Sequence, residues 1–592
     1  MTPQRVVSMS ATMSDSFFLA VRSSAVRAAV CAAVALLLYL PCLGSMDVTG
    51  DDEARDIGVV RDMVARGGWL VPQFNSAFRY ELERPSNLQQ KGQLLPVYNA
   101  EALQTKPPLF YWAAGASAML HRETVDEWSA RLPSVLFAAS TVALTVTCGA
   151  RMIGAVPAFL GGLMLATMPM FHGWARLARC DTLLVLLVAS FLFVYHLAAE
   201  PMARGLRLIL WALLGLAVLD KGLAGAGLVA TVIASDAFVG GRTGRLRALV
   251  DPLAIGIFVL MVGGWFALAS SQWGTAFVFR HFVARNFSYF LPDSLSGSGG
   301  PRGWLHHLSH FVNILTNTAP WGLCLPAALI AFWRLAPPER SPHLRFLVVW
   351  LTGGLLYFTM SARKSPYYLL PLYPAVALIA AERLGKPMMA AFEHGVWRRV
   401  SWVGLLAGGL SAAVVFLAIP PSFRVLGPIA GQAQAIPPIP LVLAVAGLAA
   451  LLPAIVSTLC ARDWGGATCL ALPAMMIGFT LQNFLDPPMN AKISMRSFAA
   501  EVRRQVGSSG RVLFFEQTIP AVALYSGLDI PTLFDPSQAG TDSFYLIVPD
   551  SLVGDLPEPW RAGSVVAEGR GRVFARRVMG VRLLRLTPRQ LG

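Results

Sequence analysis

The chain has 592 residues, 55% of them hydrophobic and 14% charged, with a formal net charge of +15. An average soluble domain carries roughly 25% charged residues, so this apolar excess is more than a soluble core can hide; a soluble globular protein is excluded, and the bilayer has to supply the missing burial. The positive charge does not point to nucleic acid either, because Lys and Arg fall mostly between apolar runs and not in one basic stripe interleaved with aromatics.

A spanning helix needs about 20 mostly apolar residues to cross roughly 30 Å of hydrocarbon. Runs near that length recur from Ala28 to Leu481. In chain order they predict spans over 24–43, 130–149, 154–172, 180–198, 205–220, 222–240, 250–271, 308–333, 344–361, 366–384, 401–419, 439–460 and 466–482, about thirteen in all. The first begins beside Arg22 and Arg27 and reads as an uncleaved signal anchor. Pro108 to Leu120 is too short to span and is expected to lie in the interface.

The positive-inside rule supports this choice. With the N-terminus inside, the cytoplasmic segments carry Arg151, Arg204, Arg207, Arg242, Arg245, Arg247, Arg334, Arg340, Arg345, Lys386, Arg398 and Arg399. The loops 45–129 and 272–307, the turn Ser361 to Ser365 and the C-terminus then share the outer, periplasmic face. After Asp486, with Pro487 and Pro488 as a junction, the pattern becomes that of a soluble α/β domain: a helix over Ser497 to Val506 and strands over 511–516, 544–549 and 571–578. The expected organisation is a transmembrane domain, 1–485, and a periplasmic domain, 486–592. The seven cysteines lie in or beside apolar runs and never as C-x-x-C, which indicates neither a disulfide framework nor a zinc–cysteine site.

Polar residues that could carry chemistry gather at the outer ends of spans. Asp51, Asp52 and Glu53 stand together a few residues beyond the first span. Helix capping accounts for one of them, ahead of the apolar stripe Ile57, Val60, Met63 and Val64, but not for its neighbours. In TKPPLFYW (105–112), Lys106 stands at the mouth of the interfacial segment, either to meet an anionic headgroup or to snorkel. RLARCDTLL (176–184) puts Arg176, Arg179 and Asp181 at a boundary between spans, as an ion pair or as catalytic groups. DKG (220–222) and SARKSPYYLLPLYP (361–374) place lysines in short outer turns, against the positive-inside trend. A phosphate held by Arg363 and Lys364, with Tyr367 and Tyr368 beside it, would give such cations a partner, as would a local carboxylate.

The order D-E-x-R at Asp52 to Arg55, GGWLVP, KPPLFYW, ARLARCD, KG and S-x-x-K-x-P-Y-Y-L-L-P-L-Y-P resembles the membrane glycosyltransferases of the GT-C fold. It is most similar to the bacterial lipid A aminoarabinose transferases and their cousins, the protein O-mannosyltransferases. The likeness covers roughly residues 45 to 385. It implies an α-helical polytopic membrane enzyme that moves a sugar, with inversion, from a polyprenyl (undecaprenyl) phosphate carrier to an envelope acceptor at the outer face of the bacterial inner membrane. Lipid A in lipopolysaccharide is the first acceptor and protein the alternative. A carboxylate there acts as general base or orients the acceptor hydroxyl, while cations stabilise the departing phosphate. Asp52 matches the essential loop carboxylate; Glu53 and Asp181 join it as acidic groups. Arg55 and Lys106 match groups near the carrier phosphate, with Arg176, Arg363, Lys364, Tyr367 and Tyr368 as further phosphate-binding candidates.

The aminoarabinose transferases carry Glu before this lysine and a His in the later outer loop, both linked to zinc. Here Thr105 and Asn286 stand there, so the zinc ligands are missing. His281, His306, His307 and His310 leave a divalent metal open, and no cofactor is assigned. Asp56 replaces the family Tyr after D-E-x-R, and an insertion over 81–105 enlarges the first loop. A lipid-linked sugar transporter or flippase is the reading from a different class. It would show inverted repeats and ionisable residues near the midplane, whereas the charges here sit at span ends.

Overall fold

The computed structural model describes residues 24–74, 106–121, 124–273, 304–336, 339–361, 364–393, 490–491, 493–507, 510–533, 536, 539, 542–573 and 577–587. The expected spans 401–419, 439–460 and 466–482 lie outside these residues, as do Thr105, His281, Asn286 and Arg363.

The apolar runs become helices. After α1 (Ser24–Tyr39) come α2 (Asp51–Arg66), α3 (Leu109–Leu120), α4 (Glu127–Ile153), α5 (Ala155–Ala166), α6 (Pro169–Ala175), α7 (Asp181–Leu197), α8 (Arg204–Lys221), α9 (Leu223–Gly240), α10 (Thr243–Ala248) and α11 (Pro252–Trp273). They are followed by α12 (Trp304–Asn317), α13 (Leu325–Arg334), α14 (Pro342–Met360) and α15 (Tyr373–Glu393). Among the described residues, four helices are long and apolar enough to cross a membrane, or six if each bent pair counts as one span. The chain is thus a multi-pass helical protein.

Two expected spans are not straight. The run 154–172 breaks between α5 and α6 at 64°, and 308–333 folds back between α12 and α13 at 118°. Both breaks precede or contain a proline, Pro169 and Pro320, whose missing N–H and ring bulk interrupt the helical ladder. The expected span 366–384 begins as a 3-10 turn, Pro366–Leu372, before α15 takes over. The broken pairs touch: the Trp321 indole donates to Thr167 Oγ1 at 3.0 Å, and the Tyr39 hydroxyl donates to the Ala166 carbonyl at 2.9 Å.

Small residues let the helices approach. Gly162 of α5 faces Val146 of α4 and Cys31 of α1, and Gly161 and Gly149 face Leu378 of α15. The α8–α9 turn uses Gly222 at φ 73°, ψ −154°, a conformation that side-chain-bearing residues avoid.

The C-terminal part is a five-stranded sheet in the order β2-β1-β3-β5-β4. Helix α16 (Arg496–Val506), β1 (Val512–Phe515), α17 (Pro520–Ser526), β2 (Thr532–Leu533) and β3 (Phe544–Pro549) are followed by α18 (Glu558–Arg561), β4 (Ser564–Val573) and β5 (Arg577–Leu586). β1 is parallel to β2 and β3, and β5 is antiparallel to β3 and β4. Alternation sorts the side chains. Leu513, Phe515, Leu546, Val548, Leu584 and Leu586 pack on one face with Trp560, while Val512, Phe514, Ile547 and Leu583 join the main core on the other. The strand expected over 571–578 is corrected: it comprises the end of β4 and the start of β5, with Val573 paired to Arg577.

A Cβ added at Gly162 would stand 2.3 Å from Val146 Cγ2 and 3.1 Å from Cys31 Sγ. Gly162→Ala is therefore expected to destabilise the chain by about 1–3 kcal/mol through overpacking, read as a lowered Tm of the detergent-solubilised protein.

Candidate active site

The site is built on the first turns of α2, where Gly50 provides the N-cap and Asp51, Asp52 and Glu53 occupy the helix start. Carboxylates are favoured there by the unsatisfied N–H groups and the helix dipole. Residues four apart share a helix face, so Asp52 and Asp56 point the same way.

Arg179, in the turn before α7, ties the two acids of this boundary together. Its Nη1 lies 2.8 Å from Asp52 Oδ2, and its Nε lies 3.1 Å from Asp181 Oδ2. The other oxygen of Asp181 is taken by Lys221, at the end of α8. Asp181 is thus only 2% exposed and gripped by two cations, whereas the Asp52 side chain is 51% exposed. Arg55 stands 3.6 Å from Asp52. Lys106 Nζ meets Asp56 Oδ2 at 2.6 Å, and the Tyr111 hydroxyl donates to Asp56 Oδ1 at 2.8 Å. Tyr367 closes the group: it stacks on Trp174 at 5.2 Å and lies under Arg179 at 5.2 Å and Lys221 at 5.3 Å. Tyr368 also faces Lys221, at 5.6 Å.

These charges set the protonation of the loop groups. Burial pushes the Asp52 carboxyl up, but the charge and hydrogen bond of Arg179, with Lys106 and Arg55, more than offset it and hold its pKa below the usual carboxylate range. Burial opposes the charge on Lys106, yet Asp56 beside it raises the ammonium well above its ordinary value. Both stay ionised at neutral pH. Burial lowers Lys364.

Of the sequence-predicted residues, Asp52, Arg55, Lys106, Asp181, Tyr367 and Tyr368 come together. Three others do not. Glu53 turns inward, 4% exposed, and pairs with Arg131 at 2.8 Å while accepting from the Ala178 amide at 3.0 Å. Its carboxylate is therefore buried in an ion pair, away from the exposed side of α2 that carries Asp52. Arg176 Nη1 donates to the carbonyls of Tyr39 and Pro41 at 2.8 and 2.7 Å, which fastens the end of α1. Lys364 donates to the carbonyls of Phe358, Thr359 and Ser361, so in this state it closes the C-terminal end of α14. Arg363 lies outside the described residues.

Asp56 and Tyr111 enter the site without having been predicted in it, whereas Arg179 and the lysine of DKG, Lys221, take up the ion pairing that their positions beside Asp181 and in an outer turn suggested. The signal for Asp56 was present in its i+4 spacing from Asp52; which arginine of RLARCD faces the acids was not readable. Asp220, fully buried next to Lys221, has no hydrogen-bond partner for either oxygen among the described residues.

Among the described residues the donor set does not fit zinc. Asp56 is held by Lys106 and Asp181 by Lys221 and Arg179, so ammonium and guanidinium groups occupy the lone pairs a metal would need. Among the described residues no group of three His, Cys, Asp or Glu side chains could hold a metal ion.

Acid groups and cations thus converge at one end of a bundle of broken and straight helices, and comparison with known proteins places this arrangement on a GT-C fold. The chain superimposes on the crystal structure of ArnT from Cupriavidus metallidurans bound to undecaprenyl phosphate with a TM-score of 0.66, covering 94% of this chain and 97% of that one at 20% identity. This establishes the fold. In sequence, residues 105–265 match the dolichyl-phosphate-mannose-protein mannosyltransferase family. The chain is 25% identical over 402 residues to the undecaprenyl phosphate-alpha-4-amino-4-deoxy-L-arabinose arabinosyl transferase of Pectobacterium atrosepticum, covering 64% of this chain and 62% of the relative. The corresponding enzyme of Serratia proteamaculans is 26% identical over 392 residues, covering 65% and 62%. The match therefore spans less than two thirds of these relatives' length. The resemblance read from the motifs is borne out.

Removing one member of the Glu53–Arg131 pair would leave the other charge buried. Glu53→Leu is expected to cost about 3–5 kcal/mol, seen as a fall in Tm; an unchanged melting curve would place Glu53 back on the reactive side of α2.

Proposed function

We propose that this chain is an inverting glycosyltransferase that takes a sugar from a polyprenyl phosphate carrier, undecaprenyl phosphate first, and transfers it to lipid A in the envelope. The observation that carries the reading is Asp52: a half-exposed, ionised carboxylate ringed by Arg55, Lys106 and Arg179 at one end of the helix bundle. The names of the relatives support undecaprenyl phosphate as the carrier and a pentosyl sugar, and the motif resemblance supports lipid A as the acceptor.

In this mechanism the acceptor hydroxyl approaches Asp52 from solvent. Its oxygen attacks the anomeric carbon on the side opposite the phosphate, and its proton passes to the Asp52 carboxylate. The bond between the anomeric carbon and the phosphate oxygen breaks, and its electron pair leaves with the phosphate. Arg55 and Lys106 stabilise that developing charge, and the phosphate can then take the proton from Asp52. Asp181 touches no reactant. It fixes Arg179 and Lys221, which line the anion-facing side with Tyr367.

The thirteen-span count, the periplasmic position of the site and of residues 486–592 and the inner-membrane location belong to this proposal, supported by the charge bias of the loops. Protein as the acceptor is the second reading, favoured by the mannosyltransferase match over 105–265. Mass spectrometry of lipid A and of periplasmic proteins, with and without the gene, decides between them: a sugar lost from lipid A supports the first, and a glycan lost from proteins alone sinks it.

Asp52→Asn is expected to abolish transfer at normal membrane abundance. Because the charge and hydrogen bond of Arg179 hold the folded-state pKa of Asp52 below the ordinary carboxylate range, wild-type activity persists above that pKa and is lost only as pH falls through it. Arg179→Gln should move that acidic limb to higher pH, and a limb that stays put would detach Asp52 from the profile. Lys106→Ala should weaken undecaprenyl phosphate binding about tenfold or more, as expected for a desolvated charge contact; unchanged affinity would reduce Lys106 to a snorkelling side chain.

A further inference from the structure

The C-terminal sheet domain grips α2 at both ends. At the N-terminal end, the Val48 amide donates to the Tyr525 hydroxyl at 2.5 Å, and that hydroxyl donates to Glu127 Oε1 at 2.9 Å. Arg496 lies over the Tyr525 ring at 4.4 Å, pairs with Asp47 at 2.8 Å and also reaches Glu127. The Asn490 amide donates to the Asp47 carbonyl at 2.6 Å. Asp47 and Val48 are the residues that lead into Gly50, the N-cap of α2.

At the far end, Arg61 Nη1 donates to the carbonyls of Ala523 and Leu524, both at 3.1 Å. These are C-terminal carbonyls of α17, the negative end of that helix, where a cation is favoured. Arg66 pairs with Asp529, two residues beyond Gly527, which ends α17 in a left-handed conformation. Between the two grips, α2 presents Asp52 and Asp56 to the site. Gly58 in its middle touches the Phe74 ring so closely that a Cβ would lie 2.6 Å from it, so the helix has little room to slide on its other flank.

We infer that the C-terminal domain is a clamp that sets the position of α2, and with it of Asp52 and Asp56, with Tyr525, Arg496 and Arg61 as positioning residues. The inference rests on the proposed role of Asp52. None of the three reaches the reacting atoms. Tyr525 acts through the Val48 amide and Glu127, Arg496 through Asp47, and Arg61 through the body of α2. Catalysis depends steeply on placement, and a shift of about 1 Å in a base can cost about a hundredfold in rate.

Tyr525→Phe tests this with the least disturbance, because the ring stays under Arg496 and only the hydroxyl is lost. In the purified full-length protein, kcat for transfer to lipid A is expected to fall about tenfold, with KM for the undecaprenyl phosphate-linked donor within about twofold of wild type. The acidic limb of the kcat profile should move to higher pH as the Asp52–Arg179 contact loosens. Arg61→Gln should produce the same changes from the other end of α2, and Arg496→Lys should retain more activity than Arg496→Gln. Faster hydrogen exchange over 51–60 in Tyr525→Phe is expected as well, a readout that needs no substrate. If both Tyr525→Phe and Arg61→Gln keep wild-type kcat and pH profile while Asp52→Asn is inactive, the clamp is overturned and the base role of Asp52 stands. If Asp52→Asn retains activity, the base role fails first and the clamp with it. Should Tyr525→Phe not accumulate as folded protein, Arg61→Gln decides alone.

Discussion

A carboxylate at the edge of hydrocarbon is tolerated only if a cation or water answers it, and Arg179 is the group through which this constraint is met. One guanidinium serves Asp52 and Asp181 at once. The same fork that neutralises the buried acid leaves the other half-exposed and ionised, so the site is assembled by the rules that keep it soluble in its own interior. Asp56 with Lys106, and Glu53 with Arg131, repeat the arrangement at buried positions. The gradient of exposure, from Asp52 to Glu53, separates the acid that can meet a substrate from the one that holds the helix.

That gradient was only partly legible in the sequence. Long apolar runs reported the helices because hydrophobic burial has a length and a period, and the DEAR, KP and RCD motifs reported the site because charges at span ends are expensive to keep without purpose. Burial direction was harder. Asp52 and Glu53 are neighbours in sequence but point about 100° apart on α2, so a cluster of carboxylates conceals a division of labour that helical periodicity reveals. Lys364 was readable as a helix-end cation, since lysine after the last turn finds the free carbonyls of its own helix.

Other features depended on tertiary contacts that no local pattern encodes. Arg176 and Arg179 are three residues apart, yet one fastens α1 and the other bridges the acids. The β4–β5 hairpin has no glycine or asparagine after Gly571 and before Val578 to mark a reversal, so its two strands read as one. The bends were signalled by Pro169 and Pro320, but apolar length outweighed them in the prediction of continuous spans. The grip of the C-terminal domain on α2 joins residues more than 400 positions apart, which only folding brings together.

The hydrogen bond between Trp321 and Thr167 links the two interrupted helix pairs at their elbows. Each interruption frees backbone groups that lipid cannot satisfy, and threonines at the breaks answer some of them: Thr167 donates to the Leu163 carbonyl at 2.8 Å and Thr318 to the Ile314 carbonyl at 2.5 Å. Straightening either elbow would pull Trp321 and Thr167 apart and leave the indole N–H without its acceptor, so the two bends are tied to one another by a single polar contact.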